Sequence, residues 1–245
     1  MKRQDGAIME KAKYKRILLK LSGEALVGSQ GYGIDPDVVK KTAKEVKNIY
    51  NLGVQIGIVI GGGNIFRGLS ENAKNMDRVQ ADQMGMLATI INSIAIQNAL
   101  ELEGIETVIQ SSIPMDSIAE PIVIRRALRH FEKGRVVIFG GGTGNPYFTT
   151  DTAAVLRARE INAEIIIKAT KVDGIYDSDP EKNPSAVKIE RISYIDVLNK
   201  NLRVLDTTAI SFSMENKLKI GVVNLLKSGH LKKFVMGENI GSIVD

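Results

Sequence analysis

The sequence predicts an α/β protein, a three-layer αβα sandwich with a mainly parallel central sheet. Short apolar stretches with strand character alternate with longer stretches of helical period along the 245 residues. Two of the apolar stretches end in three consecutive glycines, as expected where a strand of an open sheet turns into a ligand-binding loop. A TIM barrel is the alternative, weakened by the successive helices predicted after Tyr194.

The individual elements follow from local signals. Alternation in Tyr14–Leu21 predicts a first strand that ends at Ser22-Gly23, with Lys20 at its carboxyl end. Asp35 and Pro36 predict the start of a helix that Gly53 ends. The further predicted strands cover 54–60, 106–111, 136–139, 164–169, 187–189, 220–225 and 242–244. The further predicted helices cover 81–103, 122–132, 152–162, 194–199 and 207–216. The polar segment 170–184 is predicted to be a long functional loop.

The composition excludes several kinds of site. The absence of cysteine excludes disulfides, thiol nucleophiles and Cys-ligated zinc, and favours an intracellular protein. There are two histidines, neither near a glycine loop, so histidine acid/base catalysis is not expected. The net charge of +5 suits anionic ligands, but aromatic residues make up only 5%, and nucleic-acid binding is not expected. The longest apolar stretch, 84–100, carries polar interruptions that argue against a membrane span, and residues 1–13 resemble a flexible arm rather than a signal or anchor.

Two glycine-rich loops, Ile60–Gly68 and Val136–Asp151, have the build of phosphate cradles. Glycines lack a Cβ, so the backbone can bring its N–H groups to an anion while the next helix adds its positive end. Single glycine-rich turns between strand and helix are common without any ligand. Two of them, with Arg67 and Asp151 nearby, favour phosphate binding.

The motifs that are missing narrow the chemistry to cations and backbone amides around phosphates. No P-loop, dinucleotide fingerprint, protein-kinase motif or nucleophile elbow occurs. Phosphoryl transfer needs positioning and positive charge, and an acceptor that is already ionised needs no general base. Lys20 is either a solvated lysine or a cation on the moving group, and Asp151 either caps its helix, orients Lys20 or holds magnesium. Arg67 can grip a phosphate bidentately, and Lys168 is a weaker cationic candidate.

Five segments closely resemble the bacterial UMP kinases, which belong to the amino acid kinase fold family and are unrelated to the P-loop kinases. They are KLSGEAL (20–26), GGGNIFRG (61–68), ADQMGMLAT (81–89), GTGNPYFTTDTAA (142–154) and KATKVDGIYDSDP (168–180). The resemblance implies transfer of the ATP γ-phosphate to UMP, giving UDP and ADP, with Mg²⁺, in cytoplasmic pyrimidine nucleotide biosynthesis. It further implies a homohexamer inhibited by UTP, with GTP as an effector in some members. Residues 14–245 would form one kinase domain with an acceptor-binding N-terminal part and an ATP-binding C-terminal part.

The resemblance also assigns roles to residues of this sequence. The residues implied on the ATP side are Lys20, Leu21, Ser22, Gly23, Gly63, Arg67, Thr170, Tyr176 and Asp179. Those implied on the UMP side are Gly62, Asp82, Thr143, Gly144, Asn145, Pro146, Tyr147, Phe148, Thr149 and Thr150. Lys20, Arg67 and Asp151 are the residues expected to act in transfer, and no residue is assigned to the metal. The segment resembling the regulatory one consists of Gly28, Ser29, Gln30, Gly31, Tyr32 and Gly33.

The sequence departs from the family where members often have EPYIRRR, since residues 120–126 read EPIVIRR. This bears on oligomer contacts and effector response. The basic helix face of Arg125, Arg126 and Arg129 is interpreted as solvated or subunit-contacting. Two alternative functions stay open: a kinase of the same fold acting on a carboxylate or carbamate, and a uridine-nucleotide sensor without turnover.

Overall fold

The structure, a computed structural model, describes residues 12–28, 30–66, 76–180 and 182–245. Its strands are β1 (Arg16–Leu21), β2 (Gln55–Ile60), β3 (Thr107–Ser111), β4 (Glu120–Pro121), β5 (Val136–Gly140), β6 (Ile165–Thr170), β7 (Ile175–Tyr176), β8 (Lys188–Ile189), β9 (Arg191–Ile192), β10 (Lys219–Asn224) and β11 (Ser242–Val244). Its α-helices are α1 (Pro36–Tyr50), α2 (Arg78–Leu102), α3 (Ile124–Glu132), α4 (Thr150–Glu160), α5 (Tyr194–Asn199), α6 (Thr207–Glu215) and α7 (His230–Met236). A 3₁₀ turn covers Gly23–Leu26.

Within the described residues, nine strands form one sheet in the order β4-β3-β5-β2-β1-β6-β10-β11-β9. The neighbouring pairs are parallel except for β10 and β11, which run antiparallel. Strands β7 and β8 pair separately as an antiparallel ribbon. Strand β7 lies inside the segment 170–184 that the sequence predicted to be a loop, whereas β8 falls within the predicted strand 187–189. The central strands β2, β1 and β6 are buried along most of their length, as expected for a parallel sheet covered on both faces.

The two faces of the sheet carry separate apolar cores. On one face, side chains such as Ile17 and Leu19 pack against α1, α2 and α7. On the other face, Leu18 and Val137 pack against α3, α4, α5 and α6. Successive residues of β1 therefore enter opposite cores, which is the period of two of a strand buried on both sides. The predicted three-layer αβα sandwich is confirmed, and the barrel alternative is excluded by the open sheet.

The sequence predicted the two ends of α1 correctly but not the start of α4. Asp35 caps α1 by accepting a hydrogen bond from the Asp37 N–H at 2.9 Å, and Gly53 follows the helix with a positive φ of 77°. Helix α4 begins earlier than predicted, because Thr149 is the capping residue and accepts from the Asp151 N–H at 3.0 Å. The interpretation of Asp151 as the helix cap is therefore wrong: its side chain lies in the first turn and is available for another contact.

Besides the 3₁₀ turn, three strands and one α-helix of the described chain were not predicted. Strands β4, β7 and β9 have two residues each, too few for an alternation to be recognised, and α7 has only seven residues. The predicted arm at 1–13 lies outside the described residues except for 12 and 13. Within the described part, Lys13 donates its N–H to the Val235 carbonyl at 2.9 Å. Among the helices that the structure describes, none combines the length and the apolar character needed to cross a membrane.

Candidate active site

The glycine loops lie side by side because their strands are neighbours. In the sheet, β5 is adjacent to β2, β2 to β1 and β1 to β6, and all four run parallel. Their carboxyl ends therefore share one edge, which is where open α/β sheets bind ligands. Gly141 and Gly142 have positive φ angles of 79° and 61°. That backbone conformation favours glycine, and it lets the chain turn back over the sheet edge.

Lys20 and Asp151 form an ion pair at this edge. The distance from Lys20 Nζ to Asp151 Oδ1 is 2.5 Å, and the two side chains are only 9% and 15% exposed. Burial alone would raise the pKa of Asp151, but the charges of Lys20 and Lys168 and hydrogen bonds from Lys20 and the Asp206 backbone outweigh it, so its pKa lies below the ordinary value. The carboxylate therefore stays ionised and holds the ammonium group of Lys20 in one place.

Lys168 is the second buried cation of the cluster. It lies at the end of β6, its ammonium donates to the Val204 carbonyl, and its charge acts on Asp151. Burial lowers the pKa of Lys168, the charge of Lys20 lowers it further, and Asp151 and Asp206 oppose this shift. The sequence treated Lys168 as the weaker candidate; the structure places it in the same cluster as Lys20 and Asp151.

Asp206 is a member of this cluster that the sequence did not reveal. It caps α6 by accepting from the Ala209 N–H at 2.8 Å, and it also accepts hydrogen bonds from the hydroxyls of Thr149 and Thr152. Fifty-five positions separate it from Asp151 in the sequence, and only the docking of α6 on α4 brings them together. The signal available in the sequence was an ordinary helix cap, which carries no information on this contact.

A cavity of about 500 Å³ opens beside the cluster. It lies between the two glycine loops and α2, and most of the residues implied for UMP line it. Its lining residues are Gly62, Gly63, Phe66, Arg78, Ala81, Asp82, Gly85, Met86, Thr89, Gly142, Thr143, Asn145, Phe148, Thr149 and Thr150. Of the implied set, Gly144, Pro146 and Tyr147 lie in the same loop without lining the cavity. Gly144 packs so closely that an added Cβ would come within 3.0 Å of the Ser112 carbonyl oxygen.

Asp82 lies at the rim of the cavity and is held from two sides. Its Oδ2 accepts from Arg78 Nε at 2.8 Å and from the Tyr147 N–H at 2.7 Å. Tyr147 has a positive φ of 73° and an exposed ring, and the Arg78 guanidinium lies 5.8 Å from the centre of that ring. These contacts join the start of α2 to the loop before α4 across the cavity mouth.

The residues implied for ATP that the structure describes lie at the ends of β1 and β6, in the first glycine loop, and on or just after β7. Leu21 is the buried end of β1, Ser22 precedes the 3₁₀ turn, and an added Cβ at Gly23 would come within 2.5 Å of the Gly61 carbonyl oxygen. Thr170 ends β6 and accepts from the Val172 N–H at 3.2 Å. Tyr176 donates its hydroxyl to Asp173 at 2.6 Å, and Asp179 lies 3.8 Å from the Lys182 ammonium.

Two of the predicted residues, Arg67 and Ser29, lie outside the described residues, so the structure gives no position for them. The rest of the predicted regulatory segment forms the turn before α1, with an exposed Tyr32 and positive φ at Gly28, Gly31 and Gly33. This turn contacts the first glycine loop, because the Gly33 N–H donates to the Asn64 carbonyl at 3.0 Å. Arg125, Arg126 and Arg129 are exposed on α3.

The three-layer fold, with two glycine loops at the carboxyl edge of its sheet, is found together with sequence similarity to one family of kinases. A sequence model of the Amino acid kinase family matches residues 15–229, and the chain belongs to that family. Among solved structures, the chain is similar to the UMP kinase from Bacillus anthracis, with a TM-score of 0.91 and 39% identity over 95% of this chain and 96% of that one. It is also similar to the UMP kinase from Ureaplasma parvum, with a TM-score of 0.88 and 37% identity over 94% and 98% of the chains. The uridylate kinase from Archaeoglobus fulgidus matches with a TM-score of 0.71 and 26% identity over 94% and 99%.

Proposed function

We propose that this protein is a UMP kinase that transfers the γ-phosphoryl group of ATP to UMP, giving ADP and UDP. The observation that carries the proposal is the cavity between the two glycine loops, next to the buried Lys20–Asp151 pair and Lys168. The similarity of this chain to the UMP kinases, which extends over nearly its whole length, supports UMP as the acceptor. UDP formed in this way would enter pyrimidine nucleotide biosynthesis.

The reaction needs positioning and charge stabilisation rather than proton transfer. A UMP phosphate oxygen, ionised at neutral pH, attacks the γ-phosphorus, and the bond to the β,γ-bridging oxygen breaks to release ADP. Lys20 and Lys168 supply positive charge where the phosphates meet, and Asp151 orients Lys20. Arg67 is proposed to contact the phosphates from the first glycine loop. Asp82, at the rim of the cavity, is proposed to accept hydrogen bonds from the ribose hydroxyls.

Mg²⁺ is proposed as the metal, bound mainly through the nucleotide phosphates. The described residues contain no group of three or more acidic or histidine side chains that could hold a metal ion. Mg²⁺ commonly takes one or two carboxylates together with phosphate oxygens and water, so a site of this kind fits a metal carried by the nucleotide. The ion would neutralise charge on the phosphates.

The direct test is ATP-dependent ADP release measured with UMP, CMP, dUMP and AMP as acceptors. We expect UMP to be the best acceptor, and a matched series with carbamate, glutamate derivatives and aspartate to give none. Turnover with a carboxylate or carbamate and not with UMP would assign the chain to another kinase of this fold. Tight UMP or UTP binding by a folded preparation without ADP release would assign it to a uridine-nucleotide sensor.

The proposal extends to assembly and control. Four apolar residues of α2 form an exposed stripe at helical spacing, with exposures of 40% for Met84, 49% for Leu87, 47% for Ile91 and 43% for Ile94. A soluble monomer seldom exposes a contiguous apolar face, so we propose that α2 contributes to a homo-oligomer. We propose a hexamer, the assembly that the resemblance to the bacterial UMP kinases implies.

We also propose that UTP inhibits the enzyme, that GTP is an effector, and that the protein is located in the cytoplasm. Initial rates with each added nucleotide, and fractionation of cells, test these three points.

A further inference from the structure

Helix α2 forms the floor under both glycine loops. An added Cβ at Gly62 would lie 2.7 Å from the Gly85 carbonyl oxygen, and one at Gly140 would lie 2.6 Å from Ile90 Cδ1. Gly62 therefore packs directly against the helix backbone with no room for a side chain, and Gly140 packs against the Ile90 side chain. The helix face under the loops is also unusually polar for a buried surface, since it carries Thr89, Asn92 and Ser93.

Thr89 holds the second glycine loop. Its Oγ1 accepts the Gly141 N–H at 2.8 Å and donates to the Met86 carbonyl at 2.6 Å within the helix. Both the hydroxyl and the Gly141 backbone are buried. If the hydroxyl were removed, the Gly141 N–H would be left buried without this acceptor, and an unpaired buried donor is costly. The bond therefore opposes any shift of the loop away from the helix.

Asn92 holds the first glycine loop from the next turn of the same helix face. Its Nδ2 donates to the Gly61 carbonyl at 2.7 Å and to Asn64 Oδ1 at 2.7 Å. Asn64 in turn donates to Asn92 Oδ1 at 3.0 Å and to the Gly33 carbonyl at 2.9 Å. The two carbonyl acceptors determine which way both amides face, so this buried pair has a single consistent arrangement.

The third buried polar residue provides a contrast. Ser93 is as deeply buried as Asn92, and its hydroxyl donates to the Thr89 carbonyl at 2.8 Å, a bond within the helix. Thr89 and Asn92 are three residues apart, so they lie on one face, one under each loop. The bond between the Thr89 hydroxyl and the Gly141 N–H, and the bond between the Asn92 amide and the Gly61 carbonyl, connect the helix to the two loops. The proposed function assigns these loops to the phosphates.

We propose that Thr89 and Asn92 are positioning residues that set the separation of the two glycine loops for phosphoryl transfer. This inference rests on the proposed function. The acceptor side depends on the second loop and the phosphate junction on the first. The pairing of β2 with β5 brings the loops together, and the bonds from one rigid helix fix their positions relative to each other. Because reacting groups must be aligned closely, a misplacement of about 1 Å can cost on the order of a hundredfold in rate.

The test compares Thr89→Val and Asn92→Leu with Ser93→Ala as the matched control on the same helix. We expect kcat per folded molecule to fall roughly tenfold or more in the first two, following the sensitivity of transfer to alignment. The dissociation constant of ATP in both variants, and that of UMP in Asn92→Leu, measured singly by calorimetry, should change by less than about threefold, since each loop keeps its own groups. The UMP affinity of Thr89→Val is not used as a criterion, because Thr89 also lines the cavity. Thr89→Ser keeps the hydroxyl and should restore turnover.

Equal kcat values in Thr89→Val, Asn92→Leu and Ser93→Ala would overturn the proposal. If Thr89→Val does not fold, Asn92→Leu and Thr89→Ala are compared with Ser93→Ala instead.

Amide hydrogen exchange separates this inference from the proposed function, because it needs no substrate. Exchange should rise at 141–144 in Thr89→Val and at 61–64 in Asn92→Leu, while Ser93→Ala should match the wild type at both loops. Unchanged exchange in the first two variants would refute the positioning role whatever the activity. If the wild type released no ADP with UMP, the proposed function would fail, and the exchange result alone would decide whether α2 positions the loops.

Discussion

At the scale of single residues, the site depends on buried charges that stabilise one another. Lys20 and Asp151 are both nearly enclosed, and each would be costly to bury alone. The sequence identified both, since each follows or precedes a glycine turn at a strand end. It could not choose between a capping and a pairing role for Asp151, because that depends on Thr149 taking the cap. It could not find Asp206, whose approach depends on how two helices dock.

Removing Lys20 should affect turnover far more than a change at an exposed lysine. We expect Lys20→Ala to lose about a hundredfold or more in kcat, the usual loss on removing one preorganised stabilising group from a site. Lys40→Ala, at an exposed position of α1, is the control. The measurement is steady-state ADP release corrected for the folded fraction by circular dichroism. Near-normal turnover by folded Lys20→Ala would remove this residue from the catalytic set.

Asp151 should also contribute stability that depends on pH. Its folded pKa lies below the unfolded value, so its contribution is complete above the ordinary carboxyl pKa of about 3.9 and is lost as the pH falls through the lower folded pKa. We therefore expect the stability difference between the wild type and Asp151→Asn, from urea unfolding, to be largest near neutral pH and to shrink below about pH 4. Asp116→Asn, at an exposed loop position, should show little difference at any pH. A constant difference for Asp151→Asn down to pH 3 would contradict the role of its charge.

At the scale of elements, the helix ends test the backbone rules most cleanly. Lys217 follows α6 with a positive φ of 51°, and Gly104 follows α2 with a positive φ of 82°. The same left-handed turn is thus made by an L-residue at one helix end and by glycine at the other. A Cβ added to Gly104 would meet nothing within 4 Å, so only its backbone conformation opposes a side chain.

Exchanging these two residue types should change stability in opposite directions. An L-residue in the left-handed region costs roughly 1–2 kcal/mol, and glycine's larger unfolded-state entropy offsets about 0.5–1 kcal/mol of that. We expect Lys217→Gly to gain about 0.5 to 1 kcal/mol of unfolding free energy and Gly104→Ala to lose about as much. Chemical denaturation at one pH measures both. A loss in Lys217→Gly would mean that its side chain makes a stabilising contact that outweighs the strain.

Helix α2 shows what periodicity can and cannot predict. Its density of apolar residues predicted burial on more than one face, and the structure has one face buried and one apolar face exposed. The pattern did not distinguish the two, because both carry Ile, Leu and Met. The buried face also carries the polar residues Thr89, Asn92 and Ser93, which in a sequence resemble interruptions of an apolar helix.

At the scale of the whole molecule, the class of fold followed from the alternation of strands and helices, while the order of strands did not. Consecutive strands β2 and β3 are separated in the sheet by β5, which comes later in the chain. That arrangement depends on which helix covers which face, and local periodicity does not encode it. The shared edge of the two glycine loops was nevertheless predictable in part, because parallel strands end on the same side.

The exposed stripe of α2 predicts how the molecule assembles. We expect Ile91→Glu to shift the protein to a smaller assembly in light scattering, because a charge in an apolar interface is costly to bury. The matched control is Ile195→Lys, which changes an exposed apolar residue on α5 at the other face of the sheet. Circular dichroism should be unchanged in both. An unaltered molar mass for Ile91→Glu would exclude this face from the assembly.

The close contact of Gly23 with the first glycine loop limits how this chain can vary. A Cβ at position 23 would lie 2.5 Å from both the Asn64 Oδ1 and the Gly61 carbonyl oxygen. Substitutions at 23 and in 61–64 should therefore arise together in related sequences rather than singly. For the same reason, a chimera that takes the turn after β1 from one kinase and the loop after β2 from another should fold poorly, and the two segments should be transplanted as one unit.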